Sequence, residues 1–351
     1  MLKVVTGDIT KYPCDVIVNS LGVVTTDYGG ICKSILKASN SKELKNIIDR
    51  ANDVYDIGEY FFTDGFGMPV QAICHLITPH HDDDDKNLNV MVYSVKNILM
   101  SCRELKYKKI GIPLIGAGAN CYTKEEVFNV LKTVCEAFCA FFPSMDVTIV
   151  FAEDAIRDEN ASRLLSEYNR RGGQYHYDET MKKFKKSTKY FKEYYEYDDQ
   201  IIKLNKEFFN RPSTAFDTKG KMDFKGIDTI PTYISRYIDC KYDGDAYKKA
   251  KKNVYGYLGY GKSNSIDSGM NTFKKLKTSA EKVTFFKLCL AVRMNYQDAN
   301  DFLNFFGYSF ASAGINKTDD AMRQILFKHI YGVVEVNKEW EEAGLNPPLF
   351  K

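Results

Sequence analysis

Three short stretches of this sequence carry residue types suited to an anionic, nitrogen-rich ligand. The strongest is Gly111-Ile112-Pro113-Leu114-Ile115-Gly116-Ala117-Gly118-Ala119-Asn120, an apolar strand ending near Pro113, then a glycine-rich turn and, after Thr123, a helix. Small residues in such a turn let backbone N–H groups approach an anion closely. A ligand-free strand-to-helix turn would leave the same trace.

The second stretch narrows the choice. Asn19-Ser20-Leu21-Gly22 closes a strand, and Asp27-Tyr28-Gly29-Gly30-Ile31-Cys32 opens a helix. Two glycine-bearing loops, each at the carboxyl end of a strand and beside a helix N-terminus, are what a pyrophosphate needs on its two sides. The third stretch is Gly7-Asp8-Ile9, where the carboxylate is placed either to accept a hydrogen bond from an exocyclic amine such as that of adenine or to cap a turn.

Other constellations carry less. His80-His81 and Asp82 to Asp85 read as solvated loop, because adjacent side chains project differently and do not converge on one cation. Gly259-Tyr260-Gly261-Lys262-Ser263 is similar to a phosphate loop but lacks the full spacing and the preceding strand. Five scattered histidines without a nucleophile elbow define no Ser/His/Asp set. No metal site and no cofactor are expected.

The elements that must position these residues alternate. Strands are predicted over 2–6, 15–19, 60–63, 70–78, 109–113 and 147–152; between and after them, helices are predicted over 30–38, 41–51, 88–104, 124–142 and 155–168. Strands apolar along most of their length imply a sheet covered on both faces. The fold class is therefore α/β, a central sheet covered on both faces by helices, followed by a smaller all-α domain with helices over 232–238, 246–252, 282–294, 296–306 and 319–331. Domain boundaries fall at 1–168, 169–226 and 227–351, the middle piece a Lys- and Tyr-rich linker and helix.

Charge separates the halves. Residues 1–157 carry 16 Lys+Arg against 20 Asp+Glu, the remainder 33 against 26, within a whole-chain balance of +3. Nine cysteines without a close CxxC pair fit a reducing cytoplasm rather than a disulfide framework or zinc site. No apolar run reaches the roughly 18 residues of a membrane span, so no membrane partner is expected.

The order and spacing of Val5-Thr6-Gly7-Asp8-Ile9-Thr10, Asp15-Val16-Ile17-Val18-Asn19, Gly29-Gly30-Ile31, Ala72 to Pro79 and Ile112 to Gly118 resemble the macrodomain family, over nearly all of residues 1–168. Members bind ADP-ribose, and some branches hydrolyse ADP-ribose linkages; the resemblance implies a three-layer α/β/α fold with a mixed central sheet and a ligand cleft across the strand ends. The resemblance implies that Asp8 binds the adenine amine with Ile9 alongside. Phe151 would pack on the base, and Gly29, Gly30 and Ile31 would form the first phosphate loop. Gly116, Ala117, Gly118, Ala119 and Asn120 would form the second, and Asn19 would open the loop facing the distal ribose. His75 matches a position inside a strand and reads as a core residue.

Departures bear on activity. Hydrolytic members commonly carry a second asparagine and an acidic residue where this chain has Gly22 and Cys32 or Lys33, and Asn120 replaces a frequent aromatic. Asn19 and Cys32 are the remaining catalytic candidates, and the sequence leaves open whether the chain is an enzyme. The expected function is binding of ADP-ribose, a related NAD-derived nucleotide or an ADP-ribosyl group; the alternatives are an ADP-ribosyl hydrolase and a nucleic-acid-linked regulator acting through the helical half.

Residues 239–350 resemble helical domains appended to bacterial macrodomain proteins, distantly like helix-turn-helix repressors, through Asp245 to Ala250, Lys282 to Val292, Asp298 to Leu303 and Gly307 to Phe310. Nucleic acid could engage the basic, aromatic stretch 182–197, but the acids Glu193, Glu196, Asp198 and Asp199 favour a solvated helix. A gel-shift assay with residues 170–351 should accordingly show no tight binding, and reversing Lys182, Lys183, Lys185 and Lys186 should change nothing; tight, salt-sensitive binding lost on reversal would establish a nucleic-acid surface.

Overall fold

The computed structural model describes residues 1–22, 28–81, 86–118, 120–153, 159–170, 222–242, 244–260 and 266–350. The chain divides into two compact units, Met1–Ala215 and Phe216–Lys351. Asp27, Asp82 to Asp85, Ala119, the linker and basic stretch, and Gly261 to Ser263 lie outside the described residues.

The first unit is built on six strands: β1 (Leu2–Thr6), β2 (Val16–Leu21), β3 (Tyr60–Asp64), β4 (Ala72–Ile77), β5 (Lys109–Pro113) and β6 (Asp146–Phe151). Their order is β1-β6-β5-β2-β4-β3, all neighbours parallel except the β3–β4 pair. Every residue of β2 and β4 is buried, the mark of central strands covered on both faces. The helices are α1 (Gly30–Ser39), α2 (Lys42–Asp49), α3 (Ala51–Val54), α4 (Lys86–Glu104), α5 (Lys124–Phe141) and α6 (Glu159–Arg170).

One large core joins alternate strand residues such as Val16, Val18, Ile112 and Ile149 to Met91, Val95, Val127, Leu131 and Leu164 of α4, α5 and α6. The intervening strand residues, Ile17 among them, are buried on the other face, where α1 meets β2. Helix α5 starts where Thr123 and Glu126 form a reciprocal capping box. The sheet is covered on both faces, as the alternation of elements implies, and mixed, as the family resemblance implies.

The second unit is helical throughout its described part: α7 (Ile230–Lys241), α8 (Gly244–Gly259), α9 (Ile266–Lys275), α10 (Lys282–Ala291), α11 (Tyr296–Phe305), α12 (Lys317–Phe327) and α13 (Val333–Glu342). Sequence periodicity did not indicate α9 or α13. Helix α9 is poor in strong helix formers and rests on contact instead: a Cβ at Gly269 would lie 1.6 Å from the Tyr255 carbonyl oxygen and 2.9 Å from the Gly259 nitrogen, so α8 and α9 cross backbone to backbone.

A pair of substitutions separates propensity from packing. Gly269→Ala should destabilise the full chain by about 3 kcal/mol or more through overpacking. Gly256→Ala, on α8 where a Cβ meets nothing within 4 Å, should stabilise it by about 0.5–1 kcal/mol. Denaturant titration reads both; equal effects would refute the close crossing.

Candidate functional site

Parallel strands in an α/β sheet end together, and the crevice beyond their carboxyl ends is where such folds bind ligands. Here a cleft of about 430 Å³ opens there, within the ~300–1,000 Å³ usual for small-molecule sites. Its described lining comes from Gly7-Asp8-Ile9 after β1, from Ser20 and Gly22 with Gly29, Gly30, Ile31 and Ser34 of α1, from Pro113, Leu114, Gly116, Ala117, Gly118 and Asn120 after β5, from Lys124, and from Val150 and Ala152.

Two features on opposite sides suit an anion. Gly29 caps α1 without any side-chain acceptor, so the first-turn N–H groups remain for a ligand. The capping box on α5 closes that helix with its own side chains, so the two helix starts are not equivalent. Opposite α1, the second loop folds back through Ala117 N–H to Leu114 O (3.3 Å), Cys121 N–H to Gly118 O (3.1 Å) and Tyr122 N–H to Gly116 O (3.3 Å). A Cβ at Gly30 or Gly118 would meet nothing within 4 Å, so each glycine leaves its space to the cleft.

Asp8 has two jobs. It caps a 3-10 turn over Ile9–Lys11: Oδ1 accepts from the Thr10 amide (3.0 Å) and hydroxyl (2.7 Å), and Oδ2 lies 3.4 Å from Lys11 Nζ. The Thr10 hydroxyl foremost holds this carboxyl below its ordinary range. The side chain remains 40% exposed, which leaves Oδ2 accessible at the cleft wall.

Three expected residues stand elsewhere. Phe151 is buried against Phe128, ring centroids 5.4 Å apart, in the core beneath α5; its neighbours Val150 and Ala152 face the cleft, because successive strand residues take opposite faces. Asn19 is fully buried and does not line the cleft, while Ser20 beside it does. Its Nδ2 donates to His75 Nδ1 (3.1 Å), which leaves the ring proton on Nε2, donated to Thr63 Oγ1 (2.8 Å). Cys32 is 1% exposed, and burial pushes its thiol up to about 11, which disfavours the thiolate that a nucleophile needs. Ala119 lies outside the described residues.

Gly7, Ser20, Gly22, Pro113 and Leu114 line the cleft from within the three singled-out stretches, and Ser34, Lys124, Val150 and Ala152 line it from outside them. Ser34 was within reach of pattern reasoning, one helical turn beyond Gly30. Lys124 was not, since nothing in its spacing separates it from the other surface lysines.

Residues 18–131 match the family model described as Macro domain. An uncharacterized protein of Pyrococcus furiosus is 30% identical over 158 residues, covering 41% of this chain and 84% of that one. The first half of this chain belongs to the macrodomain family. An O-acetyl-ADP-ribose deacetylase of Klebsiella pneumoniae is 25% identical over 170 residues, 47% of this chain and 97% of that protein. The solved Oceanobacillus iheyensis macrodomain with ADP is 24% identical, with a TM-score of 0.41 over 46% of this chain and 88% of that one. The chain spans only 28% of an uncharacterized Thermotoga maritima protein that it matches over 174 residues at 25% identity. Among the described residues of this macrodomain protein there is no helix long and apolar enough to cross a membrane, and no cluster of three metal-ligating side chains.

The buried hydrogen-bond chain behind the macrodomain cleft has a pH signature. Burial lowers His75 from 6.5 to about 3, so the folded protein holds it neutral while the unfolded chain takes up a proton below pH 6.5. Stability should therefore fall as pH drops, by about 1.3 kcal/mol between pH 7 and 5.5 from this group. His75→Gln should flatten that slope in denaturant titrations at the two pH values; an unchanged slope would show that His75 is not held neutral.

Proposed function

We propose that the macrodomain cleft binds ADP-ribose, a related NAD-derived nucleotide or an ADP-ribosyl group on a macromolecule. The observation that carries this is the pairing of an uncapped α1 N-terminus with the open glycine loop Gly116–Gly118 across one cleft, with the Asp8 carboxylate on its wall. Backbone N–H groups suit a diphosphate without a dense cluster of cations, and Asp8 suits an exocyclic amine. The name of the Klebsiella relative supports ligand chemistry of this class.

Binding is favoured over hydrolysis as the primary activity. Neither catalytic candidate lines the cleft: Asn19 is buried with its Nδ2 on His75, and Cys32 is a buried thiol whose burial disfavours the thiolate. Slow or undetectable turnover is expected on protein-linked ADP-ribose and on O-acetyl-ADP-ribose. Nine free cysteines support a reducing compartment, and the functional unit is read as residues 1–168.

Calorimetric titration of the full chain with ADP-ribose should give binding heat. Asp8→Ala should weaken affinity by about 1.5–3 kcal/mol, the worth of a charged hydrogen bond. Gly118→Glu should abolish binding with a native circular dichroism spectrum, since its side chain enters open cleft space with like charge. No heat at millimolar ligand would refute the reading.

A further inference from the structure

Helix α1 opens with two glycines in a row, Gly29 as its cap and Gly30 as its first residue, and neither brings a side chain to the turn. Glycine loses more conformational freedom on ordering than any other residue, so such a helix start frays unless something outside it holds the chain. The residue before the pair supplies that hold. The Tyr28 hydroxyl donates to Asp49 Oδ1, and Lys45 completes the group, its Nζ 2.7 Å from Asp49 Oδ2 and 5.6 Å from the centre of the Tyr28 ring. Lys45 foremost, then Tyr28, keeps the Asp49 carboxyl below its ordinary range, so it stays an ionised acceptor for both.

The far end of the same loop meets the same piece of helix. Gly22, where the chain leaves β2 and lines the cleft, has its carbonyl oxygen bonded by Asn52 Nδ2 at 3.3 Å. Helices α2 and α3 follow one another through Arg50, whose backbone stays in the helical region. Lys45, Asp49 and Asn52 stand at i, i+4 and i+7, which is one face of this run. Leu44, Ile48 and Ala51, at the same spacing one residue earlier, are buried. The apolar stripe fixes the run in place, and the polar stripe beside it bonds both ends of the connection from β2 to α1.

We propose that Asp49 and Asn52 are positioning residues for the cleft: through Tyr28 and Gly22 they bracket the first glycine loop and hold the α1 first-turn N–H groups in the geometry that binds ligand. This rests on the reading of the cleft as an ADP-ribose site and adds to it a source of pre-organisation outside the described lining, to which neither residue belongs. The ordering that Gly29 and Gly30 would otherwise undergo on binding is then done beforehand, by hydrogen bonds to a helix anchored in the core.

The test pairs calorimetry of the full chain with ADP-ribose and backbone amide order parameters, from NMR relaxation, of the ligand-free chain. Tyr28→Phe, Asp49→Asn and Asn52→Ala should each raise the dissociation constant about three- to tenfold, and Asp49→Glu should restore much of the loss. Order parameters of about 0.85 in the wild type should fall toward about 0.6 at Gly29, Gly30 and Ile31 in Tyr28→Phe and Asp49→Asn, and at Gly22 in Asn52→Ala. A general loss of stability cannot give a pattern local to each end. Affinity and order parameters both unchanged in the variants, or either changed without the other, overturn the bracket and leave the ADP-ribose reading standing. No binding heat from the wild type overturns that reading; the order parameters then decide the bracket alone, falling if it holds the loop and unchanged if it does not.

Discussion

A Cβ atom at position 116 would lie 3.0 to 3.2 Å from the Tyr122 ring, the Thr78 methyl and the Met91 methyl, on a backbone held at φ +81°. Only glycine meets both constraints. That one residue lets the chain leave β5, turn back over the ends of the parallel strands and deliver Gly118 and Asn120 opposite the start of α1. The cleft lining depends on this reversal, which adds Gly116, Ala117, Gly118 and Asn120 to the residues at the start of α1. Gly118, by contrast, needs no unusual backbone; its missing side chain simply keeps the cleft empty.

The proposed function makes the cleft a receptor more than an activated catalyst. Titratable groups close behind it are silenced by burial: Cys32 as a thiol, His75 as a neutral ring stacked on Phe61 with centroids 4.8 Å apart. Their hydrogen bonds tie β2 to β4 and β3, which holds the end of β2, and with it Ser20, in place. Under the proposed function, backbone donors carried on the start of α1 and on the second loop would meet the diphosphate.

What was legible in the sequence was whatever local chemistry alone decides. The glycine loops, the Thr123 start of α5 and the six strands could be read because turn formers, caps and apolar runs act over a few residues. Phe151 and Asn19 stand off the cleft lining because one position along a strand reverses the face, and nothing local records which face meets the cleft. Asp8 was ambiguous between cap and ligand group, and the structure gives it the cap while leaving it at the cleft wall. Helix α9 escaped notice because its stability comes from the Gly269 crossing on α8, a contact made between segments and invisible within either.

The central claim is that a diphosphate bridges the α1 N-terminus and the second glycine loop. A crystal structure of the full chain with ADP-ribose tests it most directly. The account predicts phosphate oxygens within hydrogen-bond distance, about 3 Å, of first-turn N–H groups at Gly30 or Ile31 and of the Gly118 amide on the other side. A ligand whose phosphates contact neither segment, or that lodges away from the strand ends, would contradict it.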